Sequence, residues 1–223
     1  MKTLGVLGGM GPAATLDFLV KLHAATPATR DEDHLRVITD SDPRVPGRNA
    51  ALSGDGPSPG PALAAMARGL ERAGAEVLAM PCNAAHSWAG EIATAVGVPF
   101  VSMIDAAVAA VVVSGARRVG VLAAGATLRS GLYRNALNAA GVEAIEVAEA
   151  DFMPVLMRIK GGDTGPEVRA AMAALAAGLV ANGADAVLMA CTEVPLVLGQ
   201  AEASVPLIDA TAALVGAVLA AAL

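Results

Sequence analysis

The chain repeats itself, and a duplication restricts its possible folds more than any other feature. Leu4-Gly-Val-Leu-Gly8 returns as Val119-Gly-Val-Leu-Ala123. Gly69-Leu70 and Gly74-Ala75 return as Gly178-Leu179 and Gly183-Ala184, at the offset of 109 that also separates Cys82 from Cys191. Val98-Pro99 followed by Ile104-Asp105-Ala106 is echoed by Val205-Pro206 followed by Ile208-Asp209-Ala210. Two halves with one order of elements must fold into two similar units.

The apolar runs Leu4 to Leu7, Val77 to Met80, Val119 to Leu122 and Val187 to Met189 are short, and glycines punctuate the chain around them. That is the pattern of strands covered on both faces. Between them lie alanine-rich stretches with helical spacing, such as Ala62 to Ala73 and Val168 to Ala181. Alternation of this kind predicts βαβ units and parallel sheets with right-handed crossovers. The fold class expected is α/β, with two similar doubly wound parallel-sheet lobes and an active site in the cleft between them. The N-terminal lobe is expected over residues 1–103 and the C-terminal lobe over 104–207. The apolar helix of residues 208–223 is expected to pack back on the first lobe. Asp31 to Pro61 carries prolines at 43, 46, 57, 59 and 61 and reads as loop after a strand near Leu35 to Thr39.

Composition removes several classes of function. With 55% apolar and 16% charged residues over 223 positions, the chain has the apolar content to bury a core and is not a disordered segment. A net charge of −6 without clustered Lys or Arg disfavours nucleic acid, and 2% aromatics leaves few stacking platforms. Mean hydropathy is +0.59, yet no apolar run reaches the roughly 18 to 20 residues that span a bilayer. Glycines at 5, 8, 9 and 11 interrupt the first apolar stretch before a signal-peptide core develops. A cytoplasmic protein with no membrane or nucleic-acid partner is expected. Histidines at 23, 34 and 86 give no metal-ligand spacing, and no GxGxxG or GxxxxGK[ST] follows a strand.

The two cysteines, too few for a disulfide framework, each follow a predicted buried strand: Val77-Leu-Ala-Met-Pro-Cys82 and Val187-Leu-Met-Ala-Cys191. In parallel sheets, ligands bind beyond the carboxyl ends of strands. A helix expected to start after each thiol would lower its pKa from the free value of about 8.5. Two thiols related by duplication suit removal of a proton from one face of a carbon and its return to the other, which is racemisation. The alternative for either residue alone is a buried core cysteine. A redox dithiol is disfavoured, because a substrate carbon must fit between the sulfurs.

Three segments then carry a resemblance. Gly8-Gly9-Met10-Gly11-Pro12-Ala13-Ala14-Thr15, Pro81-Cys82-Asn83-Ala84-Ala85-His86 and Ala190-Cys191-Thr192-Glu193-Val194-Pro195-Leu196 resemble the signatures of the cofactor-independent aspartate/glutamate racemases. The resemblance spans nearly the whole chain. It implies a homodimer, no cofactor, and Cys82 and Cys191 as the acid/base pair. It further implies substrate contacts from Met10, Gly11, Asn83, Ala84 and Thr192, with Arg48 and Lys160 as cations for a distal carboxylate. Arg48 lies in Pro46-Gly-Arg-Asn-Ala-Ala-Leu52 and Lys160 in Ile159-Lys-Gly-Gly162. His86 and Glu193 are assigned supporting roles beside the thiols. Ala84 stands where the family carries Thr, and Gly47 and Asn49 stand where Asp and Thr flank the arginine.

A dicarboxylic amino acid is therefore the expected small-molecule partner, aspartate first and glutamate next. Sibling reactions on the same scaffold are maleate isomerisation, hydantoin racemisation and malonate decarboxylation, and a binding-only homologue is the non-enzymatic alternative.

Overall fold

Each half of the repeat closes into its own four-stranded parallel sheet. The computed structural model describes residues Met1–Leu223. In chain order the first half carries β1 (Leu4–Gly8), α1 (Pro12–Ala25), β2 (Val37–Ser41), α2 (Arg48–Ser53), α3 (Gly60–Arg72), β3 (Val77–Ala79), α4 (Ala89–Ala95), β4 (Phe100–Val101) and α5 (Met103–Ser114). The second carries β5 (Arg118–Leu122), α6 (Gly125–Ser130), α7 (Leu132–Ala139), β6 (Glu143–Glu146), α8 (Glu149–Lys160), α9 (Pro166–Ala181), β7 (Ala186–Met189), β8 (Leu207–Asp209) and α10 (Ala210–Ala222). Strand order is β2-β1-β3-β4 in one sheet and β6-β5-β7-β8 in the other. These are the two doubly wound α/β lobes that the repeat predicts.

Two compact units follow, one of Met1–Ala106 with Thr211–Leu223, the other Ala107–Ala210. The C-terminal helix α10 belongs to the first unit, where the Lys2 amide donates to Ala222 O at 2.8 Å. No helix is long and apolar enough to cross a membrane.

The duplication extends to a packing detail. Gly5 in the middle of β1 and Gly120 in the middle of β5 are repeat mates. A Cβ on Gly5 would stand 2.6 Å from the Leu78 side chain and 3.2 Å from Leu70 Cβ of α3. On Gly120 it would stand 2.8 Å from Leu179 Cβ of α9. Leu70 and Leu179 are themselves repeat mates, so each sheet has one strand residue reduced to hydrogen to let a helix approach. Gly120→Ala must push α9 outward, and a loss of about 1–3 kcal/mol is expected in chemical denaturation, the usual cost of overpacking. An unchanged midpoint would mean that α9 has slack.

The segment read as loop departs from expectation in two places. The strand is Val37–Ser41, shifted toward the C-terminus. A six-residue helix, α2, starts at Arg48 after Pro46-Gly47 and stops at Gly54, which adopts φ 81°. Six residues are too few to show a helical period, and the prolines at 57, 59 and 61 obscure the start and stop signals around them.

Candidate active site

In both sheets the chain leaves the first strand, lays down the second on one side, then returns to the other side for the third. The strand order therefore reverses between β1 and β3, and between β5 and β7. Such switch points, at the carboxyl ends of the strands, are where doubly wound sheets bind ligands. The loop Gly8–Gly11 and Cys82 follow β1 and β3; residues Ala124–Thr127 and Cys191 follow β5 and β7. Each thiol thus stands at its unit's switch point, and both are buried, 5% and 6% exposed.

In the first unit, the Gly9 amide donates to Thr15 Oγ at 2.9 Å, and the same hydroxyl donates to Gly11 O at 3.1 Å. Thr15 thereby ties the glycine loop to the first turn of α1. Gly9 has φ 89°, and a Cβ there would meet the Asp42 backbone. Arg48, half-buried at the start of α2, clamps this loop from the other side. Its Nη2 donates to Met10 O at 3.0 Å, and its Nη1 to Val45 O at 3.3 Å and Pro46 O at 3.2 Å.

After β3, the Cys82 amide bonds Met80 O at 2.8 Å in a tight turn. The thiol lies in an apolar cluster with Leu7, Met10, Met66 and Met80. Asn83 and His86 beside it are buried, and Ala84 is half-buried. The Met103 amide donates to His86 Nε2 at 2.9 Å, so the ring proton resides on Nδ1 and is donated to Cys82 O, also at 2.9 Å. Burial pushes the imidazole down to about 4, against the raising effects of its bond to Cys82 and the charge of Asp105. At neutral pH, His86 is an uncharged brace between the cysteine's carbonyl and the start of α5.

The second unit surrounds its thiol differently. Cys191 Sγ donates to Glu193 Oε2 at 3.1 Å, and Thr192 Oγ reaches the same oxygen at 3.2 Å. Glu193 Oε1 is ion-paired with Lys160 Nζ at the end of α8. Glu193 is buried, while the Lys160 side chain is about a third exposed. Burial first, then the Glu193 carboxylate, pushes the Cys191 thiol well above the ordinary thiol range. That is opposite to the lowering expected from a helix start. Only a three-residue 3-10 turn, Val194–Leu196, follows the thiol, with too little aligned dipole to offset an adjacent carboxylate.

The structure therefore brings Met10 and Arg48 together in the first unit, with Gly11 on the same loop as Met10, and brings Lys160, Cys191, Thr192 and Glu193 together in the second. Two further buried residues of the second unit lie in no sequence motif. Thr127, buried in α6 beyond β5, has a hydroxyl without a hydrogen-bond partner. Tyr133, the chain's single tyrosine, is buried on α7, and its hydroxyl is pushed upward by burial, then by the charges of Cys191 and Asp209. Tyr133 could have been flagged as one of few aromatic residues. Thr127 becomes visible only once β5 and β7 are seen to flank the switch point. No three or more His, Cys, Asp or Glu side chains gather as a metal-ligand set.

Paired parallel sheets with a thiol at each switch point define a class of α/β protein, and comparison with known proteins narrows it. The family model for Asp/Glu/Hydantoin racemase matches residues 7–218. The chain belongs to that family of isomerases. The aspartate racemase of Picrophilus torridus superposes with a TM-score of 0.92 at 32% identity, over 100% of this chain and 94% of that one. A glutamate racemase from Francisella tularensis, solved in complex with D-glutamate, shares the fold at TM-score 0.72 and 20% identity, over 99% of this chain and 80% of that one. The broad specificity amino-acid racemase RacX of Bacillus subtilis is 26% identical over 95% of this chain and 94% of its own length.

Proposed function

We propose that the protein is a cofactor-independent amino-acid racemase acting on aspartate, with Cys82 and Cys191 as its two proton-transfer groups. The observation that carries this reading is the repeat: one thiol beyond the third strand of each unit, at the switch point, in a chain with two cysteines. One sulfur takes the α-proton as a thiolate, and the other, protonated, delivers a proton to the opposite face; the reverse reaction exchanges the roles. The raised Cys191 thiol suits it to begin as the acid.

Asn83, Thr192, Ala84 and the amides of Met10 and Gly11 line the α-amino and α-carboxylate end in this reading, and Arg48 and Lys160 take the distal carboxylate. Thr127 joins them as a donor to the substrate. Thr127→Val is then expected to stabilise the fold by about 1 kcal/mol, because it removes an unsatisfied buried hydroxyl, while KM for aspartate rises about tenfold with one lost charged hydrogen bond. A stability gain with KM unchanged would take Thr127 out of the substrate's shell. The homodimer and cytoplasmic setting implied by the resemblance belong to the same reading.

A second reading, a broader amino-acid specificity, is favoured by one observation. Both cations assigned to the distal carboxylate already have partners, Arg48 three carbonyls and Lys160 a carboxylate. Proton NMR of the protein with L-aspartate, L-glutamate and L-alanine in D₂O, followed by chiral analysis, tests both. Loss of the α-proton signal with appearance of the D-isomer for aspartate alone supports the first reading. Equal turnover of alanine supports the second, and no exchange with any substrate refutes the racemase reading.

A further inference from the structure

The loop Gly8–Gly11 has glycine at every position but Met10, so its peptides can turn over easily and something must hold them. Thr15, 3% exposed at the start of α1, holds two of them through one hydroxyl. It accepts from the Gly9 amide at 2.9 Å and donates to Gly11 O at 3.1 Å. Arg48 holds the peptide between, donating to Met10 O at 3.0 Å. In a planar trans peptide the C=O and N–H point opposite ways, so the Gly11 amide faces away from Arg48. The amides of Met10 and Gly11 donate to no other group of the chain, although Met10 is buried. Buried amides are nearly always paired, so these two call for an acceptor from outside the chain.

We propose that Thr15 is a positioning residue: its hydroxyl commits the Gly9 amide inward and so keeps the Met10 and Gly11 amides turned toward a substrate carboxylate. The inference rests on the racemase reading for the identity of that ligand and adds the side chain that fixes the loop. Without the hydroxyl the Gly9 amide has no acceptor, and the peptides on either side of Gly9 are free to rotate. A turned Gly9–Met10 peptide would present a carbonyl oxygen where the carboxylate needs an N–H, replacing a hydrogen bond with a repulsion. Arg48 can serve the loop and a substrate together. At most three of its five N–H donors are engaged by carbonyls, so donors remain for a distal carboxylate.

The second unit has no such latch. The repeat mate of Thr15, at the offset that relates Leu4 to Val119, is Ser130. Its hydroxyl donates to Thr127 O at 2.8 Å within α6 instead of reaching back to Ala124 or Gly125. At that loop a carboxylate of the protein itself, Glu149, packs against Gly125 so closely that a Cβ there would collide with it, and it pairs with Arg129. A second anion would meet a like charge. Of the two equivalent loops, the first unit's is the one built to take a carboxylate.

Thr15→Val removes the hydroxyl and keeps the branched side chain that packs on Gly8; Thr15→Ser keeps the hydroxyl. In racemisation assays Thr15→Val is expected to raise KM for aspartate about tenfold, the effect of one lost charge-assisted hydrogen bond, with kcat little changed, and Thr15→Ser to recover most of the loss. Calorimetry with succinate, a dicarboxylate with no amino group and no stereocentre, follows binding without turnover and should show the same weakening in Thr15→Val. Amide NMR on the wild-type protein, which depends on no variant folding, is expected to show the Met10 and Gly11 signals moving with succinate while the Gly9 signal stays in place. Unchanged KM and succinate affinity in Thr15→Val overturn the latch and leave the racemase reading intact. A loss in Thr15→Ser equal to that in Thr15→Val, a Gly9 signal that moves with the other two, or no succinate binding to the wild type also overturns it. Succinate binding with the expected amide shifts, but no racemisation of any amino acid, refutes the racemase reading and leaves the latch standing.

Discussion

Cys82→Ser and Cys191→Ser are each expected to slow racemisation of aspartate by about 10³-fold or more, in both directions, while the fold is retained. Positioned general acid–base groups contribute about 10²–10⁴-fold, and a serine hydroxyl ionises far too weakly to replace a thiolate as the base. In the proposed mechanism each direction needs one sulfur to remove a proton and the other to return one, so the effect is expected to be symmetric. Oxygen is smaller than sulfur and forms stronger hydrogen bonds. At Cys82 it sits among Leu7, Met10, Met66 and Met80, where a destabilisation of about 1–3 kcal/mol is expected for a polar group without a firm partner. At Cys191 the Glu193 carboxylate is ready to accept from it. Circular dichroism assays of both enantiomers, with a melting curve for each variant, separate lost chemistry from lost structure. More than a tenth of wild-type activity in either folded variant would rule out the two-thiol mechanism.

The second large effect is an acid weakness located in the first unit. His86 is uncharged when folded, with an ordinary value of 6.5 pushed down to about 4 by burial. Below 6.5 the unfolded chain binds a proton at this ring that the folded chain refuses, so stability is fully present above that pH and is lost as pH falls toward 4. The shift corresponds to about 3 kcal/mol. Protonation also places an N–H on Nε2, directly against the Met103 amide that donates to it. Denaturation at neutral pH should show His86→Leu destabilised by about 2–4 kcal/mol, since the Cys82 carbonyl and the Met103 amide lose their partner. On acidification the variant should lose about 3 kcal/mol less than wild type, so the two stabilities converge near pH 4. Parallel curves would show that the ring does not couple to folding, and an NMR titration of the His86 ring would locate its midpoint directly.

The sequence and the structure agree where the information is local or repeated. The strand-helix order, the pairing of Gly5 with Gly120, and the placement of both cysteines beyond a third strand follow from apolar runs and a fixed offset. The surroundings of those cysteines do not. Lys160 reaches Glu193 across 33 positions and Arg48 reaches Met10 across 38, contacts that no periodicity encodes. Neither partner is visible until a sheet edge and a helix end are brought together in space. For the same reason Lys160 and Arg48 read as unengaged substrate cations in the sequence, whereas the fold gives each an intramolecular role as well. Thr127 has no motif around it and becomes notable only through its place beyond β5 and its buried, unpartnered hydroxyl.

The duplicated sheets carry unlike neighbours for their thiols: a neutral imidazole bracing the backbone of Cys82, and an ion-paired carboxylate holding the proton of Cys191. For a reaction that interconverts mirror images this asymmetry has a strict bound. Enantiomers have equal free energy in water, so the ratio of kcat/KM for the L and D forms must equal one whatever surrounds each thiol. In the proposed mechanism, the differences between His86 beside Cys82 and Glu193 with Lys160 beside Cys191 can therefore enter only as compensating changes in kcat and in KM. Each enantiomer could be bound and turned over at its own pace, while the quotient of the two constants stays common to both.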